Sequence, residues 1–214
     1  MYDPQTGVYI TSEDSFPNQG LYQKDSAYYL KFNSSKGLYA IKQLKAQYEG
    51  IESNRCFYYH VYLDLLFEAI GLIIVRFKPA RSAKKIIRQQ ADDNCKEYDY
   101  TMENYPLLHD KSFRNFIEHI DEKGHMLIEK HKYWGTFNLI YPNMKEKVRN
   151  DLLDSHKPQN NLLNIENMTY TILDYDKKTD SIKTKIINIL ELEKELQQIQ
   201  KISSRIWSFL TELF

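Results

Sequence analysis

Residues 53–77, SNRCFYYHVYLDLLFEAIGLIIVRF, form the most apolar stretch of the chain. Gly71 is the one turn-forming residue in its body, and the run is too long for a single strand, so a buried central helix is expected. Pro79 ends or kinks that helix, because proline has no amide hydrogen to give the turn before it. The uninterrupted apolar part, 69–75, falls far short of the roughly 20 residues of a membrane span. Asp64 and Glu68 also break its upstream flank. A core helix with no membrane partner follows.

Outward from this helix the pattern is mostly helical. Upstream, Leu38, Ile41, Leu44 and Tyr48 recur at helical spacing, with Ser34 or Ser35 placed to cap the first turn and Gly50 to stop the helix. Residues 1–33 are aromatic and turn-rich with no helical period, and read as an N-terminal arm packing on the body. Downstream, 80–95 reads as a helix with Ile86 and Ile87 inward. Asp110 reads as the cap of another, whose stripe is Phe113, Phe116, Ile117 and Ile120. Residues 133–141 suggest a strand ended by Pro142, and 144–164 a loop with a short helix. The segments 168–173 and 182–187 flank a turn-rich stretch and signal a hairpin. A long closing helix over 189–210 presents Leu192, Leu196, Ile199, Ile206 and Leu210 on one face. The expected fold is mainly α: a helical bundle over 34–132, then a small β element and closing helix over 133–214 in the same domain.

Composition bounds the function. The chain has 214 residues, enough for one domain. Its 29 basic and 29 acidic side chains cancel, so bulk charge does not hold it to nucleic acid or membrane, although a local patch remains open. Seven glycines make a poor supply for phosphate loops, and GxGxxG, GxxxxGK[ST] and GxSxG are all absent. Cys56 and Cys95 cannot build a disulfide framework or a cysteine zinc site, which fits a reducing compartment. The polar start, 1–8, has no secretory core, so a cytoplasmic location is expected. The 17 tyrosines fit a base-composition bias of the source as readily as any chemistry.

The string that carries chemistry is 113–122, FRNFIEHIDE. On a helix Asn115 and His119 share a face, as do Arg114 and Glu118, whereas Arg114 and His119 are about 140° apart. Their convergence needs a side-chain bend, a helix end or a second copy of the helix. This string, R-N-F-I-E-H over 114–119, resembles the signature of the HEPN superfamily: Arg, a polar residue, then His after four to six intervening positions, late in a helical bundle.

The resemblance implies a metal-independent endoribonuclease that works as a homodimer in which two motifs meet in one cleft. Many HEPN proteins serve defence, toxin–antitoxin or RNA-processing systems, and an antitoxin or operon partner is implied with them. The motif residues carry over as Arg114, Asn115 and His119. His119 would move the proton of a ribose 2′-hydroxyl or of the leaving 5′-oxygen, since its reference pKa near 6.5 permits both. Arg114 would grip the scissile phosphate, and Asn115 would orient one of them. No cofactor is implied. One HEPN subgroup has a tyrosine two residues after the His; here Asp121 stands there, which puts control by modification of that tyrosine in doubt. A catalytically silent HEPN-like dimerisation or partner-binding module is the alternative.

Two further groups stand out. Arg76, Lys78, Arg81, Lys84, Lys85 and Arg88 have no acid among them and would suit an RNA backbone or a solvated helix face. His60, Asp64 and Glu68 recur every four residues, as cleft-lining groups that could join Glu118 around the motif, assist His119 or bind a cation, as a separate hydrolase or transferase site, or as a solvent stripe. A metal is not expected. Glu122 and His125 give one Glu-x-x-His where di-metal bundles need two, and His109, His119, His125 and His131 are scattered.

Overall fold

The computed structural model describes residues 2–3, 8–9, 19–46, 55–110, 113, 137–154, 161–176, 179 and 181–213. Among them the chain is mainly helical with a small mixed sheet and a long C-terminal helix. Strands β1 (Tyr2–Asp3) and β2 (Val8–Tyr9) pair antiparallel. Among the described residues the helices are α1 (Gln19–Ala46), α2 (Arg55–Phe77), α3 (Lys85–Glu97), α4 (Pro106–His109), α5 (Glu146–Leu153) and α6 (Ile189–Leu213). None of the described helices is long and apolar enough to cross a membrane.

The central apolar helix forms as its composition dictates. Leu63, Leu66, Ile70, Ile73 and Ile74 of α2 are buried in one continuous core with Leu30, Ile41 and Leu44 of α1 and Leu192, Leu196 and Ile199 of α6. Helix α1 lies between the other two. Lys45 pairs with Glu193 at 2.6 Å, and Gln200 donates to the Ser35 hydroxyl at 2.8 Å, so α1 and α6 run antiparallel. On the other side Lys36 pairs with Glu68 of α2 at 2.6 Å. The three helices crowd together at Gly37. A Cβ there would stand 2.9 Å from Leu196 Cδ1, 3.5 Å from Leu66 Cδ1 and 3.7 Å from Ala69 Cβ.

The helix expected to open at Ser34 or Ser35 starts at Gln19 instead and takes in the second half of the presumed arm. Ser34 and Ser35 sit mid-helix, both donating their hydroxyls to the Lys31 carbonyl, at 3.0 and 2.7 Å. Such back-bonding lets serine stay inside a helix. Helix α3 also starts later than expected, at Lys85, and Ile86 points to solvent at 39% exposure. Its buried face is Gln90, Ala91 and Asn94, a polar face that carries no apolar period.

Strands β3 (Asn138–Ile140), β4 (Leu162–Asn164), β5 (Thr169–Asp176) and β6 (Ser181–Asn188) form one sheet in that order. β3 and β4 are parallel; the other pairs are antiparallel. The hairpin β5–β6 falls where the sequence signals it. Strand β4 was not expected, and of 133–141 only 137–141 is described. The sheet packs on α2 through Tyr170, whose ring centre lies 5.3 Å from that of Phe67. Asn188 then caps α6, its side-chain oxygen accepting from the amides of Leu190 and Glu191 at 3.0 and 3.2 Å.

The crowding at Gly37 gives a stability prediction. Gly37→Ala shifts only the end of Leu196 and gains helix propensity, so its unfolding free energy stays within about 1 kcal/mol of wild type. Gly37→Leu overpacks the three-helix junction and costs about 2–3 kcal/mol. Urea unfolding of both variants checks the contrast.

Candidate functional site

Arg114, Asn115, Glu118 and His119 lie outside the described residues. What the structure describes is the chain that leads to them, which is held by a buried polar clamp. Glu195 of α6 is nearly enclosed, and its carboxylate accepts from the backbone amides of Leu107 at 2.8 Å and Leu108 at 2.9 Å. Those are first-turn amides of α4, which have no partner inside so short a helix. The carbonyl side is tied as well: the Tyr100 hydroxyl donates to Leu108 O at 2.5 Å, and Lys78 Nζ donates to His109 O at 3.1 Å. Asp110, next in the chain, accepts from Lys185 of β6.

Phe113 completes this approach. It is fully buried, with its ring 6.2 Å from Phe67 of α2 and Lys185 Nζ 5.7 Å from its centre. The residue immediately before Arg114 is thus fixed against α2 and the sheet. The His60, Asp64 and Glu68 row runs along an exposed face of the same helix. His60 Nδ1 and Asp64 Oδ2 are 3.0 Å apart, the His60 ring sits 5.7 Å from that of Phe137, and Glu68 is held by Lys36. Asp64 also acts on Tyr170: burial raises the Tyr170 phenol above its ordinary pKa, and the Asp64 charge adds to the shift. No three His, Cys, Asp or Glu side chains among the described residues are grouped to hold a metal ion.

The basic run divides. Arg81, Lys84, Lys85 and Arg88 are exposed around the start of α3. Lys78 turns in to α4, with Nζ 5.4 Å from the Tyr100 ring centre. Arg76 is 5% exposed, its guanidinium 3.9 Å from the centre of the Tyr29 ring. Around it, Asn94 donates to the Arg76 carbonyl at 2.9 Å, and Ser26 donates to Asn94 at 3.0 Å. Burial raises the Tyr22 phenol, against the opposing pull of the Arg76 charge and of hydrogen bonds to Ser26, Arg76 and Asn94.

This polar group backs a cavity of about 360 Å3 between α1, α3 and α6. Tyr22, Asn94 and Tyr98 line it together with Ile206, Phe209 and Leu210, and Asp93, Glu97 and Arg205 stand among the lining charges. Cys95 is beside it in sequence but reads as structural: its thiol donates to Phe77 O at 3.4 Å, and burial followed by the Asp92 charge raises the thiol above its ordinary value.

Sequence reasoning missed the clamp and the cavity. A lone Glu at 195 in a helix of alternating charges carries no signal of burial, and Ser26, Asn94 and Tyr22 belong to no motif. Arg76 was noticed for its charge alone. No family model, no curated protein and no solved structure matches the chain.

Two predictions follow from these buried charges. Burial raises the Glu195 carboxyl above its ordinary value, and this outweighs the lowering by the Leu108 and Leu107 amides. A raised folded-state pKa means that the group favours the fold most below the unfolded carboxylate value and loses that contribution as pH rises through the folded value. The melting temperature of wild type relative to Glu195→Gln is therefore highest near pH 4 and falls toward neutrality, as a thermal-melt pH series reads. For the basic run, Arg76→Ala leaves a cavity and strips the Tyr29 ring of its partner, at a cost of roughly 2–4 kcal/mol. Arg81→Ala stays within about 0.5 kcal/mol. Denaturant unfolding of both separates the structural member of the run from an exposed one.

Proposed function

We propose that the chain is a metal-independent endoribonuclease of the HEPN type, acting as a homodimer. The observation that carries this reading is the R-N-F-I-E-H string at 114–119 in a mainly helical chain. Phe113, clamped into the core, supports it by giving Arg114 a fixed point of departure beside α2. The exposed Arg81, Lys84, Lys85 and Arg88 support an RNA partner, because cations along a backbone release its counterions.

In this reading the ribose 2′-oxygen attacks the adjacent phosphorus and displaces the 5′-oxygen, leaving a 2′,3′-cyclic phosphate. One His119 takes the 2′-hydroxyl proton, and the leaving oxygen receives a proton from the other His119 of the dimer. Arg114 spreads its planar fork of donors over the phosphate oxygens as charge develops there. Asn115 orients the imidazole. A second copy resolves the angular separation of Arg114 and His119 on a single helix. A defence or toxin–antitoxin role with a neutralising partner, in the cytoplasm, belongs to the same proposal.

The test is cleavage of single-stranded RNA in EDTA by wild type and His119→Ala, with analysis of the product 3′ ends. Wild type yields cyclic phosphates, and the variant is slower by at least 100-fold, the lower bound for loss of a general acid–base group. Equal cleavage by both overturns the assignment of His119. Silence from both, with no partner protein bound, replaces the enzyme with a silent dimerisation or partner-binding module.

A further inference from the structure

The outer face of α1 carries large aromatic side chains where a surface helix ordinarily shows charge. Tyr28, Phe32 and Tyr39 are 51%, 58% and 52% exposed. Their spacing of four and seven residues puts all three within about 40° around the helix, as one line of rings along its axis. Both ends of the line are braced by neighbours. The Trp207 ring of α6 tilts against Tyr28 at 5.1 Å, and the Tyr62 ring of α2 meets Tyr39 edge-on at 6.4 Å. The two end rings are therefore pre-positioned, which lowers the entropy cost of ordering them on a ligand.

The charge beside the line is one-sided. Lys24, Lys31 and Lys42 fall within about 60° of it on the edge toward α6. Lys24 Nζ also stands 5.3 Å from the Trp207 ring centre. On the opposite edge are Asp25, Gln43 and Lys36, the last already paired with Glu68. A row of exposed rings with lysines along one edge is the arrangement that holds a single strand, in which bases stack on the rings and phosphates follow the cations. A second copy fits less well. In a two-fold antiparallel pairing of α1, the lysine edge of one copy lies over the lysine edge of the other, and interface cores are depleted of lysine.

We infer that the α1 face formed by Tyr28, Phe32 and Tyr39, edged by Lys24, Lys31 and Lys42, binds single-stranded RNA by base stacking. The choice of RNA rests on the reading of the chain as a ribonuclease, but binding is measured apart from cleavage.

The experiment uses full-length His119→Ala, so that RNA stays intact, and a fluorescently labelled 12-nucleotide single strand read by anisotropy. Replacing Tyr28, Phe32 and Tyr39 together by Ala weakens binding at least tenfold, since each stacked base contributes about 1–3 kcal/mol. Replacement by Leu keeps apolar area but offers no ring face, and weakens it to the same degree. Lys24, Lys31 and Lys42 replaced by Gln weaken binding and flatten its dependence on salt. The same sequence as a duplex hides its base faces and is insensitive to the aromatic substitutions. The inference is overturned if the Ala or Leu variants bind as tightly as the parent. It is equally overturned if they turn a dimer into a monomer without loss of RNA affinity, which assigns the face to a second copy. Unchanged melting temperatures exclude misfolding at these exposed positions. A wild type that binds the strand through α1 yet cuts none keeps this inference and overturns the enzymatic one.

Discussion

At Gly37 helices α1, α2 and α6 crowd together so closely that a methyl group would displace the end of Leu196 and anything larger would overpack the junction. Leu196 of α6 comes closest, with Leu66 and Ala69 of α2 on the other side. Because interiors are packed like crystals, a contact this tight fixes both the rotation of each helix and its position along its axis. Glu195, one residue before Leu196, is thereby delivered to the first amides of α4. The same junction turns Tyr28, Phe32 and Tyr39 away from the core. Glu195 thus neighbours the junction in sequence, and the aromatic ridge lies on the face of α1 opposite to it.

The sequence was readable where apolar side chains fill the buried face. In α2 the buried positions include Leu63, Leu66, Phe67, Ile70, Ile73 and Ile74, and in α6 they include Leu192, Leu196 and Ile199. Periodicity therefore marks both. The hairpin β5–β6 was readable because its two β-rich runs are local to one turn. The first half of α1 was not, since its buried positions mix Ser26 with Ala27 and Leu30 while Tyr28 and Phe32 face outward. A pattern method looks for the opposite arrangement. Strand β4 is three residues long and pairs in parallel with β3 across an intervening helix, which leaves no local signal. At the candidate site, the motif residues were legible as a pattern alone. The groups that hold the approach to them, Glu195, Tyr100, Lys78 and Lys185, became visible only through their contacts.

Those groups share a physical logic. Burying a charge costs several kcal/mol unless hydrogen bonds replace the lost water. Glu195 recovers part of that cost from two backbone amides, and Lys78 from a backbone carbonyl and an aromatic face. Such contacts contribute little net stability compared with apolar packing, but they are directional. A hydrophobic contact tolerates sliding, whereas two amides aimed at one carboxylate do not. The four-residue helix α4 is too short to hold its own shape in water, so its geometry depends on them. Phe113, three residues beyond Asp110, then inserts its ring against Phe67 and ends the guided stretch.

Zero net charge conceals an uneven surface. Four acids are paired with single cations: Glu68 with Lys36, Glu193 with Lys45, Asp110 with Lys185 and Glu166 with Arg149. Arg81, Lys84, Lys85 and Arg88 cluster in one exposed stretch, and Lys24, Lys31 and Lys42 line the edge of α1. At physiological salt the field of a surface charge decays over about 8 Å, so a polyanion meets the local patch and not the sum over the chain. Neutral composition therefore argues against indiscriminate binding while leaving two directed surfaces. On the inference drawn above, a strand stacked on α1 would gain affinity from ring faces that need no bulk charge, so a neutral protein would favour single strands over the more highly charged duplex.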